Sequence, residues 1–338
     1  MVGVNLHLND TMGCTFIGVL FALGLYGASC AQTIFYYHEY PKDHIRLKAL
    51  VAILWLLDTA STILDICFLW YWLITYHSDT GGLSVLPDAF TAEFFLASLT
   101  VCIVQCYFIS TIWRLLASKW FQWPLTSIMI FLAAASFVGG IVTVYRINLN
   151  TQATAAVVAS TVPASIQTVT AFVADAYITT SLCVILWGRK TGFKRTEVLI
   201  TTLIVYAIHR GIFTGLIQLA HFTTYISTIH SDSLYWMLWH IPGSKIYVNS
   251  LLAVLNVRHQ LREGPPEAEY SLDVFSLDST PGQSVSVSRR RSRATLNKTT
   301  QSRTHIMLTR EVVRDDGERT RVPSPINETD VGDKVPYS

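Results

Sequence analysis

Charged side chains are scarce in this chain: Asp, Glu, Lys and Arg make up 14% of its 338 residues, against 51% hydrophobic ones. Soluble domains carry about a quarter charged residues, so the length does not signal two soluble domains. The formal net charge of +2 says little as a total, because its meaning lies in where the charges fall. Loop cysteines are missing as well. Cys14, Cys30, Cys67, Cys102, Cys106 and Cys183 all lie inside apolar stretches, and none forms a Cys-x-x-Cys pair. That excludes a disulfide framework and a structural zinc site. Cys102 and Cys106 share a helix face, but buried thiols serve mostly as small packing residues, so no metal is expected. There is no P-loop, no HExxH, no GxSxG and no histidine set at ligand spacing; neither an enzyme nor a cofactor is indicated. No Lys or Arg precedes the first apolar stretch, and that stretch is too long for a signal-peptide core, so it is expected to stay as a helix. The absence of an internal repeat counts against transporters built from inverted repeats.

What the chain does have is seven long apolar stretches, at 14–36, 49–75, 90–113, 124–145, 164–187, 198–220 and 234–257. A bilayer core about 30 Å thick needs roughly 20 apolar residues at helical rise. In lipid the backbone must satisfy its own hydrogen bonds, which makes such stretches helices. The expectation is an all-α integral membrane bundle of seven transmembrane helices: a short N-terminus (1–13), the bundle (14–257) and a polar tail (258–338).

Basic residues sort by side. The connections 37–48, 114–123 and 188–197 carry Lys42, Arg46, Lys48, Arg114, Lys119, Arg189, Lys190, Lys194 and Arg195, whereas the N-terminus and the other three connections carry only Arg146. By the positive-inside rule the N-terminus is extracellular and the tail cytoplasmic, the plasma membrane being the expected location. The loop with Arg189, Lys190, Lys194 and Arg195 would anchor that topology and attract anionic headgroups. Trp70, Trp72, Trp236 and Trp239 fall near outer ends, and Trp113, Trp120, Trp123 and Trp187 near inner ends, as an interfacial belt requires. The small-residue pairs Gly24/Ala28, Ala135/Gly139, Ser136/Gly140 and Gly211/Gly215 predict close helix contacts.

From Arg258 onward Ser, Thr, Pro, Gly and mixed charge dominate, a composition that cannot bury enough apolar surface to fold alone. Within it, Arg289-Arg290-Arg291-Ser292-Arg293 reads either as a solvated charge run or as an anionic-lipid contact that phosphorylation of Ser292 would weaken. A tail tethered to a membrane argues against nucleic acid as a partner. Asn9-Asp10-Thr11 is the one glycosylation sequon on the expected outer side, close to the first helix.

Ionisable residues inside a bilayer cost at least about 2.5–3.5 kcal/mol each, so they ask for a reason. Asp58, Asp175, Arg210 and Lys245 each lie roughly ten residues into a stretch, which at helical rise puts all four near the midplane. Asp65 lies on the same helix face as Asp58, His209 adjoins Arg210, and Asn249 is one turn from Lys245. Two readings stay open: buried ion pairs that fix helix register, or the lining of a polar midplane pocket for a ligand, ion or proton. A lysine midway along a seventh helix also raises a retinal Schiff base. The third stretch has no midplane carboxylate to serve as counter-ion, which argues against it.

Three segments carry a resemblance. They are Tyr40-Pro41-Lys42-Asp43 with Leu54-Trp55-Leu56-Leu57-Asp58-Thr59, then Thr191-Gly192-Phe193-Lys194-Arg195-Thr196, and Ser244-Lys245-Ile246-Tyr247-Val248-Asn249-Ser250-Leu251-Leu252. Together they resemble an uncharacterised seven-helix membrane family of mushroom-forming fungi, a domain of unknown function. The resemblance implies a fungal membrane protein with an outer N-terminus, and no activity. Asp58, Lys245 and Asn249 fall in its motifs, whereas His209-Arg210 stands where relatives tend to have Asn-Thr. The function expected is receptor-like sensing of a small molecule, with loops and tail contacting a cytoplasmic partner. Ile112-Trp113-Arg114 replaces the Asp/Glu-Arg-Tyr of rhodopsin-like receptors, and no NPxxY is present. A small-molecule or proton-linked transporter and a structural membrane protein without a ligand remain as alternatives.

Overall fold

A computed structural model describes residues 10–262 apart from positions 77–79, 84, 118, 151, 190–193, 230 and 232. Asn9, Lys190, Ser292 and the rest of the tail lie outside the described residues, as do the side chains of Lys194 and Arg195. The described chain is all-α, with one isolated bridge between Val85 and Gln152. In order, the helices are α1 (Met12–Glu39), α2 (Ile45–Trp70, running on as a π-helical turn Tyr71–Thr75), α3 (Thr80–Leu83) and α4 (Asp88–Leu115). Then follow α5 (Gln122–Leu149), α6 (Ala153–Ala159), α7 (Thr161–Trp187), α8 (Lys194–Thr228) and α9 (Met237–Arg262).

Six of the long helices contain one of the predicted apolar stretches and overrun it, most of all α8, because helical hydrogen bonding continues into polar turns that hydropathy does not register; α9 instead begins three residues inside its stretch of 234–257 and runs on to Arg262. Six helices are long and apolar enough to cross a membrane: Met12–Glu39, Ile45–Thr75, Asp88–Leu115, Gln122–Leu149, Thr161–Trp187 and Ile200–Thr228. What they define is a multi-pass membrane protein. Its outer surface is apolar, with Phe21, Ile34, Phe131 and Phe213 all exposed. The expected seventh span, α9, falls short of that composition. The physical reason is its position: it packs against α1, α2, α4 and α8, so much of its surface meets protein rather than lipid.

The long helices close a ring in the order α1, α2, α4, α5, α7, α8, α9 and back to α1, while α4 leans inward to touch α7 and α9. At the end where α1 begins (the near end), Leu234 N–H donates to Asp10 O (2.9 Å), Trp72 Nε1 to Val85 O (3.1 Å) and Tyr225 Oη to Val157 O (3.0 Å). At the far end the Tyr40 hydroxyl reaches Asn256 O (2.9 Å), Tyr36 Oη donates to Asp43 (3.1 Å) and Tyr37 Oη to Lys48 O (2.8 Å). The Tyr40-Pro41-Lys42-Asp43 segment is therefore a latch between the α1–α2 turn and the end of α9.

Small residues set helix spacing at three of the four predicted pairs. A Cβ on Gly139 would fall 3.0 Å from Gln167 N and from Pro163 O, and one on Gly140 would fall 2.6 Å from Ser98 Oγ. α5 thus lies backbone-close to α7. Gly211 abuts Thr179 in the same way. The Gly24/Ala28 pair does not behave so: both residues are exposed, and nothing lies within 4 Å of a Cβ on Gly24. The belt expectation also divides. Trp70, Trp120, Trp123 and Trp187 are exposed, but Trp72 and Trp236 are buried among aromatic rings because the bundle closes over the near end.

Candidate functional site

Apolar packing occupies both ends of the bundle, and the buried charges fall between. Near-end packing includes Phe68, Trp72, Phe90, Trp236 and Met237; far-end packing includes Tyr36, Phe108, Ile112, Leu251 and Leu252. Between these layers the four predicted midplane charges form two separate clusters rather than one balanced set.

The first cluster joins α2 to α9. Lys245, fully buried, lies 3.4 Å from Asp58 Oδ1 and 3.5 Å from Asp65 Oδ2. Its ammonium also donates to Asp58 O (3.2 Å) and to the Ser61 hydroxyl. The seven-residue spacing of Asp58 and Asp65 is two helical turns, which sets both carboxyls against one ammonium. On α4, Glu93 Oε2 contacts His240 Nε2 at 3.2 Å, and both carboxyls, Glu93 and Asp65, are fully buried. Asp58 Oδ2, Asp65 Oδ1 and Glu93 Oε1 accept no hydrogen bond among the described residues. Three carboxyls thus face one ammonium and one imidazole.

The second cluster joins α4, α7, α8 and α9 around Asp175. Arg210 Nη2 meets Asp175 Oδ1 at 3.1 Å, and Gln105 Nε2 donates to the same oxygen at 3.3 Å. Asp175 Oδ2 accepts from the Tyr247 hydroxyl and from Gln218 Nε2 (3.5 Å). The guanidinium lies 3.8 Å over the ring of Phe108, a cation–π contact in a desolvated place. Here one cation and one anion balance, and every helix of the group contributes a hydrogen bond. This geometry is that of a clasp.

The charged side chains of both clusters, Asp58, Asp65, Glu93, Lys245, Asp175 and Arg210, stand back from the cavity lining. A chamber of about 100 Å³ opens near the near end, between α4, α5, α7, α8 and α9. Phe90, Phe94, Tyr225, Trp236, Trp239 and His240 supply its aromatic walls, and Ser98, Gln167, Gln218, His221 and Ser244 its polar ones. His240 stacks on Phe94 with ring centres 4.7 Å apart. Four lining atoms are buried without a hydrogen-bond partner among the described residues: Gln167 Oε1, Gln218 Oε1, His221 Nε2 and Ser244 Oγ. A buried polar atom left so costs about 1–3 kcal/mol, so each is a demand for a ligand group or water. The chamber touches the first cluster through His240 and the second through Gln218 and Tyr247.

The predicted residues divide accordingly. Asp58, Asp65 and Lys245 are brought together, as are Asp175 and Arg210, but the two groups are distinct and neither surrounds a midplane cavity. His209 is exposed on the outer face of α8, one helical position from the buried Arg210, and belongs to no site. Asn249 is a helix clasp: its Nδ2 lies 2.9 Å from each of Leu25 O, Ser29 Oγ and Lys245 O, which share its two protons and tie α9 to α1. Arg189 is exposed and donates to Leu115 O, joining the far ends of α7 and α4. Sequence reasoning missed Gln105, Gln167 and Gln218 as site residues. Glutamines mid-way in apolar stretches were the available signal. It also gave no site role to His240 or Tyr247.

Two comparisons found no counterpart: no curated protein and no solved structure matches the chain. Residues 171–260 match a family of unknown function, DUF6534. The matched segment takes in most of α7, all of α8 and nearly all of α9. It therefore holds Asp175, Arg210, Gln218 and Lys245, while Asp58, Asp65 and Glu93 lie outside it.

Proposed function

We propose that the chain is a seven-span, receptor-like membrane protein that binds a small, mainly apolar ligand in the aromatic chamber. The observation that carries this reading is the chamber itself: aromatic walls around four polar atoms without partners, one wall of it on the most deeply buried helix. Ligand sites take this form, apolar with a few placed polar groups. α9 serves as the seventh span because its charge, Lys245, is neutralised inside the bundle and its surface is covered by neighbours. With seven spans and the basic loops in the cytoplasm, the N-terminus faces outward at the plasma membrane and the chamber opens to the same side. The basic loop of Arg189, Lys190, Lys194 and Arg195, with the tail, then faces a cytoplasmic partner.

The string from Lys245 and Asp65 to Glu93 and His240 favours a second reading, a proton-linked carrier, since carboxyl–histidine chains are the usual relays of such proteins. One set of measurements separates them. A small-molecule screen for thermal stabilisation of the purified protein identifies a binder, because binding to the native state raises apparent stability. Ala97→Phe, which fills the chamber, is expected to abolish that stabilisation; persistence of the effect would place binding elsewhere. Partner recruitment without flux in proteoliposomes supports the sensor, and ligand flux driven by a proton gradient supports the carrier.

A further inference from the structure

We propose that the chamber selects a small protonated amine carried on a single-ring or short branched apolar body; this rests on the chamber being the ligand site. Three observations on different residues converge. The first is hydrogen-bond polarity. Gln218 is buried, and its amide nitrogen points at Asp175 and Tyr247, which fixes its oxygen as the free end. Gln167 is fixed likewise. Its Nε2 donates to Ser98 Oγ (2.8 Å), and Ser98 spends its own proton on Phe94 O (2.9 Å). Both unpartnered glutamine atoms are therefore carbonyl oxygens, which accept only. A ligand must bring donors to them, and an ammonium brings three.

The second observation is charge. Behind the chamber wall, Asp58, Asp65 and Glu93 outnumber Lys245, and Glu93 bonds the wall residue His240. Asp175 beyond Gln218 is balanced by Arg210. The interior next to the chamber thus holds carboxyls in excess, and each buried cation, Lys245 and Arg210, already has a carboxyl partner, which leaves nothing to receive an anionic ligand. The third is the wall material. Phe90, Phe94, Tyr225 and Trp236 present aromatic rings, whose faces attract cations, Trp most of all. Size sets the body of the ligand. An engineered apolar cavity of about 150 Å³ accepts benzene, so a partly open chamber of about 100 Å³ holds one ring or a short chain.

The test is an isosteric series bound to the full chain in nanodiscs of zwitterionic lipid, with empty nanodiscs as the partition control. Benzylamine, benzyl alcohol, toluene and benzoate share one shape and differ in charge and donors; isobutylamine and isobutanol run beside them in case the ring is too wide. The amine of either pair is expected to bind at least about 10-fold more tightly than its alcohol, toluene more weakly still, and benzoate not at all. Gln167→Leu is expected to weaken the amine about 10-fold and leave toluene unchanged. Should that variant fold poorly, Ser244→Ala serves the same comparison with a several-fold loss. Equal or tighter binding of toluene, alcohol or benzoate overturns the amine while leaving the chamber as the site. If no member of either series binds the wild type and Ala97→Phe changes nothing, both the amine and the chamber fall.

Discussion

Lys245→Met is the substitution whose outcome depends most on how the buried charges are partnered. Methionine keeps the length and apolar bulk of the side chain and removes the ammonium. In the wild type that ammonium lies 3.4 Å from Asp58 and 3.5 Å from Asp65, at zero exposure. Removing one member of a buried ion pair costs about 3–5 kcal/mol, mostly because the remaining charge is left without compensation. Whole-domain stabilities run to about 5–15 kcal/mol, so the variant should be severely weakened. The diagnostic lies in the double variants. Lys245→Met with Asp58→Asn removes a charge from each side of a real contact, and a coupling of about 1–3 kcal/mol is expected to return. Lys245→Met with Asp175→Asn joins residues that share no side-chain partner, so the two losses should add to within about 0.5 kcal/mol. SDS-driven unfolding of the purified full chain in mixed micelles reads the three single variants and both doubles against the wild type. Recovery with Asp175→Asn and none with Asp58→Asn would refute the two-cluster arrangement and restore a single midplane set.

Other substitutions test neighbouring parts of the argument. Gly139→Leu should weaken the fold by about 1–3 kcal/mol or more through overpacking against the α7 backbone, whereas Gly24→Leu, facing open space, should stay within about 0.5 kcal/mol; thermal unfolding compares them. His209→Leu should be neutral and Arg210→Met strongly destabilising, measured as the fraction of monodisperse protein after extraction. Equal effects would mean that α8 is rotated from the orientation described. Asn249→Leu deletes two donors shared among three acceptors at 2.9 Å. Membrane-protein cycles give about 0.6 kcal/mol per such bond, so a loss of about 1–2 kcal/mol is expected in the same unfolding assay.

How far the sequence discloses this molecule depends on what each residue has to tell. Length and hydropathy reveal α1, α2, α4, α5, α7 and α8, because a lipid-facing helix must advertise its apolar surface. α9 advertises less, since its neighbours are helices and its polar residues answer to them. Depth along a helix is legible, so the sequence puts Asp58, Asp175, Arg210 and Lys245 well inside their helices, and all four are buried. Rotation about the helix is not, and rotation decides partners. Lys245 turns toward α2 and Arg210 toward α7, while His209, one residue away, turns outward. The same limit affects the tryptophans: Trp70 and Trp72 share a depth, yet one is exposed and the other buried. The π-helical turn at Tyr71–Thr75 leaves no mark in composition either.

The separation of charge from cavity has a physical cause. A buried charge is tolerated only while its partners are fixed, and an open chamber offers no fixed partners. Asp175 is accordingly saturated by Arg210, Gln105, Gln218 and Tyr247, and Lys245 by Asp58, Asp65 and Ser61. Neutral amides, a phenol and an imidazole carry each cluster to the chamber wall. Those intermediaries have two sides. Gln218 offers its nitrogen to Asp175 and its oxygen to the chamber, and His240 joins Glu93 while stacking in the aromatic wall. A ligand that pulls on Gln218 or His240 therefore changes the hydrogen bonding of a carboxyl without displacing the carboxyl itself. Under the proposed receptor reading, such a change would pass through α8 and α9, and α8 begins at Lys194.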